Sequence, residues 1–269
     1  MYAVMTVDVD PPTTPKENFM IENGVTSLLN LFCNHKIKAT FFVPSLVAES
    51  FPSLMLNIVE QKHEIACHGL KHHPFEATLD AKKQFKNIKT ATDILESIIG
   101  SKPLGFRAPL FNVNENCWVA LCKNGYFYDS SIVFSPYFGR TLLPKKPFFL
   151  LEGYGEINVC NLIEIPVSVN PLLPFPLGGA YMRTFGRLWS KTGIKLNLLS
   201  KTPVTLYIHP KDVVQGLHAH SWWHYRNIPN CLKMLNEIIK YAKHCGANFL
   251  MACELAKLYR ERLLENHLI

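Results

Sequence analysis

Two aspartates and two histidines in this chain are spaced to serve one metal ion. In T6-V-D-V-D10, Asp8 and Asp10 are two residues apart, after a run of Val, Met and Ala. On extended backbone that spacing points both carboxyls to the same side. A buried strand should not end in two facing carboxylates without a cation or an acid–base task. In H68-G-L-K-H72, His68 and His72 stand at i, i+4, the spacing of histidines in helical zinc sites. His73 competes with His72, because a loop need not keep helical geometry. One carboxylate with two imidazoles leaves a coordination position open, the catalytic rather than the structural zinc arrangement.

Two further polar residues end apolar runs. Arg107 closes P103-L-G-F-R107 just before Ala-Pro, where a guanidinium would hold a neighbouring carboxylate ionised. His209 closes T205-L-Y-I-H209. A lone histidine there is more often a satisfied core residue, but parallel-strand C-termini are where α/β barrels keep reactive groups. Asp129, in Y126-F-Y-D-S-S131, reads as a packed strand end capping a serine turn. The cluster H218-A-H-S-W-W-H224 lacks a cysteine or carboxylate and reads as a lid or sugar-stacking loop.

The elements that must position these residues alternate. Tyr2–Asp8 reads as a buried strand, running into the proline-rich D10-P-P-T-T-P15. Helical spacing follows at 21–35, then a strand at 38–43, a helix at 51–62 and a strand at 63–68. Leu79–Ile99 reads as a helix with Gly100 as its stop, 103–107 as a strand and 115–124 as a helix. From about 134 to 186 the pattern loosens into proline-rich loops with one strand at 161–165. A strand at 204–208, a helix at 228–244, a strand at 247–251 and a helix at 254–265 complete the chain. Strands alternating with helices imply βαβ units and a parallel sheet. With no repeat or linker, residues 1–269 are expected to form a single domain.

Composition excludes several classes. The chain is 48% hydrophobic and 18% charged, with a net charge of +7, which fits a globular protein with a full core. Its basic residues are spread, as at Lys82, Lys83, Lys86, Lys89, Lys145 and Lys146, so no nucleic-acid partner is expected. A mild attraction to an anionic membrane surface fits the charge, and F148-F-L-L-E and N170-P-L-L-P-F-P offer apolar contacts for one. No run approaches the roughly 20 apolar residues of a membrane span. The eight cysteines include no C-x-x-C pair. With no leader pattern, this reads as a cytoplasmic protein with reduced thiols.

Taken together and in this order, the motifs resemble the polysaccharide deacetylase family, carbohydrate esterase family 4, in a branch whose first motif is a split D-x-D. The resemblance runs from about Met1 to His209 and more loosely beyond. It implies a distorted (β/α) barrel of about seven parallel strands with a divalent metal at its mouth. It implies Asp8 as catalytic base, and Asp10, His68 and His72 as ligands to Zn2+ or another ion such as Co2+, Ni2+ or Fe2+. It assigns Arg107 to orienting the base, and the backbone N–H of Leu110 to the oxyanion, where the family often has tyrosine. It makes His209 the general acid and places Leu206 in the acetyl pocket. The family's late motif, whose aspartate tunes the acid histidine, is missing; Glu164 and Asp212 are both open as substitutes.

The expected activity is hydrolysis of an N-acyl group, acetyl or formyl, from an amino sugar. The split first motif also resembles lipid-linked formamido-arabinose deformylases, and a cytoplasmic location favours a lipid- or nucleotide-linked precursor. Two alternatives stand: hydrolysis of a non-sugar amide or cyclic imide on the same fold, and a carbohydrate-binding protein with a degraded site.

Overall fold

The computed structural model describes residues 1–12, 14, 18–73, 76–138, 146–150, 161–214 and 228–267. Its strands are β1 (Tyr2–Asp8), β2 (Thr40–Val43), β3 (Glu64–Cys67), β4 (Gly105–Phe106), β5 (Tyr128–Asp129), β6 (Phe148–Phe149), β7 (Ile163–Glu164), β8 (Val204–Ile208) and β9 (Asn248–Leu250). Its helices are α1 (Asn18–Asn34), α2 (Ser45–Ser50), α3 (Pro52–Glu60), α4 (Ala81–Ile99), α5 (Glu115–Lys123), α6 (Gly179–Leu199), α7 (Ile228–His244) and α8 (Ala252–His267). The chain divides into two compact units that interleave in sequence.

The first unit comprises Met1–Ala39, Val133–Lys145 and Val167–Leu250. β1 pairs in parallel with β8 and with β9, and Val7 lies opposite Ile208. The chain therefore leaves both β1 and β8 at one level, with Asp8 and His209 next in line. From Ala3 to Asp8 every residue of β1 is buried, as its unbroken apolar run requires of a strand covered on both faces. Helix α1 rests on the turn that follows β8. A Cβ on Gly24 would stand 2.5 Å from the Pro210 carbonyl oxygen, so only glycine permits that approach.

The second unit comprises Thr40–Ile132, Lys146–Pro166 and Met251–Ile269. Here β2, β3, β4, β5 and β7 follow one another in parallel, and β6 joins β7 antiparallel. Helix α4 has the boundaries its sequence signals imply: Asp80 accepts the Lys83 N–H at the N-cap, and Gly100 ends it in the left-handed region at φ 75°.

Three expectations are corrected. The stretch 134–186 contains more than loops and one strand. β6 lies within it, a bridge joins Val133 to Val167, and α6 begins at Gly179. Gly179, Gly186 and Gly193 hide α6 from a propensity argument. They serve packing instead: a Cβ on Gly193 would meet Leu177 at 2.8 Å, and Gly186, at φ 80°, kinks the helix. Reduced thiols throughout is the second correction. Cys122 is disulfide-bonded, while Cys33, Cys67, Cys117, Cys231, Cys245 and Cys253 are free. Third, β7 is shorter than the strand read at 161–165. Among the described residues no helix is long and apolar enough to cross a membrane. Residues 151–160 and the cluster 218–224 lie outside the described residues.

Candidate active site

In the first unit the site is a compact ion cluster at the ends of β1 and β8. Asp8, the last residue of β1, is 2% exposed. His209 keeps an extended backbone, at φ −107° and ψ 153°, and so continues the alternation of β8. Tyr207 and His209 share one side of that strand, and their rings meet edge to face at 5.7 Å. Leu206 alternates to the other side, is fully buried and lies level with Met5. It packs there in the core.

A 3₁₀ turn, Pro210–Asp212, follows His209 and brings Asp212 back onto it. Asp212 Oδ2 accepts the His209 backbone N–H at 2.9 Å and lies 3.2 Å from His209 Nδ1. Asp212 Oδ1 accepts from Arg183 Nε at 3.1 Å and from Nη2 at 2.6 Å. Both side chains of this pair are almost wholly buried. On the other edge of the imidazole, Nε2 is 3.4 Å from Asp10 Oδ2, which also accepts from Lys211 Nζ at 2.6 Å.

These contacts set the titration of the cluster. Burial works against the His209 imidazolium, but Asp10 and Asp212 outweigh it and raise the pKa above the usual histidine value. Burial alone would lift Asp212, yet His209 and Arg183 hold its carboxyl well below the usual carboxylate range. The two candidates for the missing late-motif aspartate are thereby separated. Asp212 supports His209, whereas Glu164 Oε1 accepts the Ile132 N–H at 2.8 Å. The signal lay in H-P-K-D: a capping residue, proline at the first position of the turn, and an acid at the third. Arg183 carried no such signal, since nothing in α6 marks it as buried.

In the second unit the site is held by backbone and hydroxyl groups. β3 ends at Cys67, and His68 follows, 2% exposed. Its Nδ1 is 2.7 Å from the Arg107 carbonyl oxygen. A carbonyl only accepts, so Nδ1 carries the proton and Nε2 keeps its lone pair. The loop then turns back at Gly69 (φ 80°) and at His72, itself left-handed at φ 57°. This places the two imidazoles 5.0 Å apart between ring centroids, tilted by 57°. Glu76, which carried no signal in the sequence, ties the loop down: its Oε1 accepts the Lys71 and His73 N–H groups at 3.1 and 3.3 Å.

Arg107 is fully buried, with its guanidinium 4.1 Å above the Phe42 ring. Its Nε donates to the Ser130 carbonyl at 3.0 Å and its Nη2 to Ser130 Oγ at 2.9 Å. Two residues on, Pro109–Phe111 forms a tight turn in which Leu110 (φ 55°) and Phe111 (φ 58°) are both left-handed. Such strain in non-glycine residues clusters at functional sites. The Leu110 side chain is 60% exposed, so a role in chemistry falls to its backbone.

Comparison with known proteins places this arrangement. Residues 2–128 match the sequence profile of the family described as polysaccharide deacetylase, and residues 130–251 match a domain of unknown function, DUF3473. Over 126 residues the chain is 32% identical to a peptidoglycan deacetylase of Helicobacter pylori, covering 45% of this chain and 42% of that one. The match thus spans less than half the length of that curated relative. A polysaccharide deacetylase structure from Mycobacterium smegmatis superposes over 97% of this chain and 90% of its own, with a TM-score of 0.69 at 20% identity. An allantoinase structure superposes over 95% and 89%, with a TM-score of 0.67 at 18% identity. These likenesses establish the distorted (β/α) barrel, with mostly parallel strands, as the fold. By motif and profile over residues 2–128, and by fold over nearly the whole chain, this protein is similar to the polysaccharide deacetylase family.

Proposed function

We propose that residues 1–269 form a single metal-dependent catalytic domain that hydrolyses an N-acyl group, acetyl or formyl, from an amino-sugar substrate. The observation that carries this reading is the support of His209. A histidine held at Nδ1 by a buried aspartate, itself paired to a buried arginine, is built to be protonated and to give that proton up.

Asp10, His68 and His72 are the residues that would hold the metal, and their donor types suit zinc or ions such as Co2+, Ni2+ or Fe2+. His68 suits the task, because its Nδ1 donates to the Arg107 carbonyl and Nε2 is the nitrogen that would ligate. When bound, such an ion supplies Lewis acidity, lowering the pKa of water and polarising a carbonyl. Asp8 is the base that takes the proton from the attacking water, with Arg107 orienting it. The Leu110 N–H stabilises the oxyanion. His209, held at Nδ1 by Asp212, donates to the leaving nitrogen as the C–N bond breaks. The products are a free amino sugar and acetate or formate.

The substrate is a glycan or a sugar precursor. Disulfide-bonded Cys122 weakens the reduced-cytoplasm argument that favoured a lipid- or nucleotide-linked precursor, so polymeric cell-wall glycan stands beside it. A degraded binding site is disfavoured, because Asp212 takes up the role of the missing aspartate. Hydrolysis of a non-sugar amide is the second reading, on the strength of the fold shared with an allantoinase. The test is amine release by the zinc-loaded protein from N-acetyl and N-formyl amino sugars, their oligomers and lipid-linked conjugates, with allantoin alongside. Amine release from a sugar conjugate, abolished by chelation, supports the proposal. Turnover of allantoin alone replaces it with the second reading.

A further inference from the structure

Asp129 is a fully buried carboxyl that the reaction does not use. Burial raises its pKa to about 6, against hydrogen bonds with Ser131, Trp118, the neighbouring Glu164 carboxyl and the Ser130 N–H that lower it. A buried carboxyl needs a return for its desolvation. Capping the turn after β5 accounts for only one of its bonds, the Ser130 N–H at 2.9 Å. Oδ1 also accepts the Ser131 hydroxyl at 2.5 Å, and Oδ2 accepts Trp118 Nε1 at 2.9 Å.

The Ser131 bond has a direction. A hydroxyl has one proton. Ser131 gives its proton to Asp129, so its oxygen faces outward as an acceptor, and there it takes the Ala108 N–H at 2.8 Å. That N–H belongs to the same peptide unit as the Arg107 carbonyl, whose oxygen accepts from His68 Nδ1 at 2.7 Å. One peptide plane is therefore pinned at both ends. Its N–H points to β5 and its C=O to β3, and β3, β4 and β5 are consecutive parallel strands. Ser130 adds a second hold. Its hydroxyl proton goes to the Ile165 carbonyl at 2.8 Å, which leaves its oxygen to accept from Arg107 Nη2 at 2.9 Å.

We propose that Asp129 and Ser131 are positioning residues acting on His68 through the Arg107–Ala108 peptide. The relay runs from carboxyl to hydroxyl to peptide to imidazole. Bonds in such a chain polarise one another. A metal-ligating histidine commonly donates its second N–H to a carboxylate or a carbonyl. Here the carbonyl carries the influence of a carboxyl two bonds further on, which fixes the His68 tautomer and increases the basicity of Nε2. The inference rests on the assignment of His68 as a ligand, but the relay itself can be read without metal.

The test compares wild type with Ser131→Ala, and with Ser131→Cys as a gentler variant in case the first fails to fold. Two quantities are measured: the His68 Nδ1–H proton resonance in metal-free protein, and zinc affinity by chelator competition. Ser131→Ala should move the resonance upfield and weaken zinc by about 10-fold, the lower end of effects at residues behind a ligand. Ser131→Cys should fall between. A merely structural serine would lower the melting temperature and leave the resonance in place. An unmoved resonance with unchanged zinc affinity in a folded variant overturns the proposal. A wild type that binds no zinc overturns the metal assignment instead, while the resonance still reads the relay.

Discussion

His209 and His68 both stand one residue past the end of a parallel strand, and they are held in opposite ways. His209 meets carboxylates on both sides, Asp212 at Nδ1 and Asp10 at Nε2, and Arg183 and Lys211 secure those carboxylates. His68 meets a neutral peptide carbonyl at Nδ1. Charge favours the imidazolium, which suits a proton donor. A carbonyl acceptor fixes which nitrogen carries the proton, which suits a metal ligand. One residue type at equivalent strand ends thus becomes acid or ligand according to its second nitrogen's partner. The first unit's site should be sensitive to loss of charge, and the second unit's to loss of geometry.

The largest expected effect is on the charged side. Asp212→Ala leaves Arg183 buried without its carboxylate and should cost about 3–5 kcal/mol in denaturant unfolding. The sign with pH follows from the depressed Asp212 pKa. Its contribution is present above the unfolded value near ~3.9 and is lost as pH falls through the folded pKa. The stability gap between wild type and Asp212→Asn should therefore shrink in acid, and shrink in part again as pH rises through the raised His209 pKa. A gap that widens in acid would show that Asp212 is not held ionised by its partners.

Next is the base. Asp8→Asn should keep its metal and lose hydrolysis by roughly 100-fold or more, the scale of a general base. Metal loss in that variant would make Asp8 a ligand and leave the base unassigned. On the second unit's side, His72→Ala should release most of the metal while its thermal melt stays near wild type. Full metal content there, with loss in His73→Ala, would transfer the ligand role to His73. The smallest effect belongs to Glu76, whose bonds to the Lys71 and His73 N–H groups are solvent-exposed. Glu76→Ala should weaken chelator-measured zinc affinity by about 10-fold or less, since its two exposed hydrogen bonds each contribute at the low end, roughly 0.5 kcal/mol.

Legibility in the sequence divides along the same line. Residues that end apolar strands, such as Asp8, His68, Arg107 and His209, could be picked out because a polar side chain there breaks a strong hydrophobic pattern. Helices with clean caps, such as α4 between Asp80 and Gly100, could be read for the same local reason. What stayed hidden depends on tertiary placement. Arg183 sits in a helix whose three glycines argue against helix, and its burial is decided by Asp212, 29 positions away. Asp129 looked like a turn cap because its other bonds reach Ser131 and Trp118. The choice between Asp212 and Glu164 turned on the H-P-K-D turn signal after β8, whose 3₁₀ turn brings Asp212 back onto His209.

His209 as the acid that protonates the leaving nitrogen can be read from one pair of substrates. The measurement is hydrolysis by His209→Ala of two substrates with the same acyl group, an N-acetyl amino-sugar amide and an activated acetate ester. An ester's leaving group needs little protonation, so the pair isolates proton donation. The amide rate should fall by about 100-fold or more, the scale of general acid catalysis, while the ester rate stays within about 10-fold of wild type. Equal losses on both substrates would contradict a proton-donating role, and no loss on either would make His209 a core histidine.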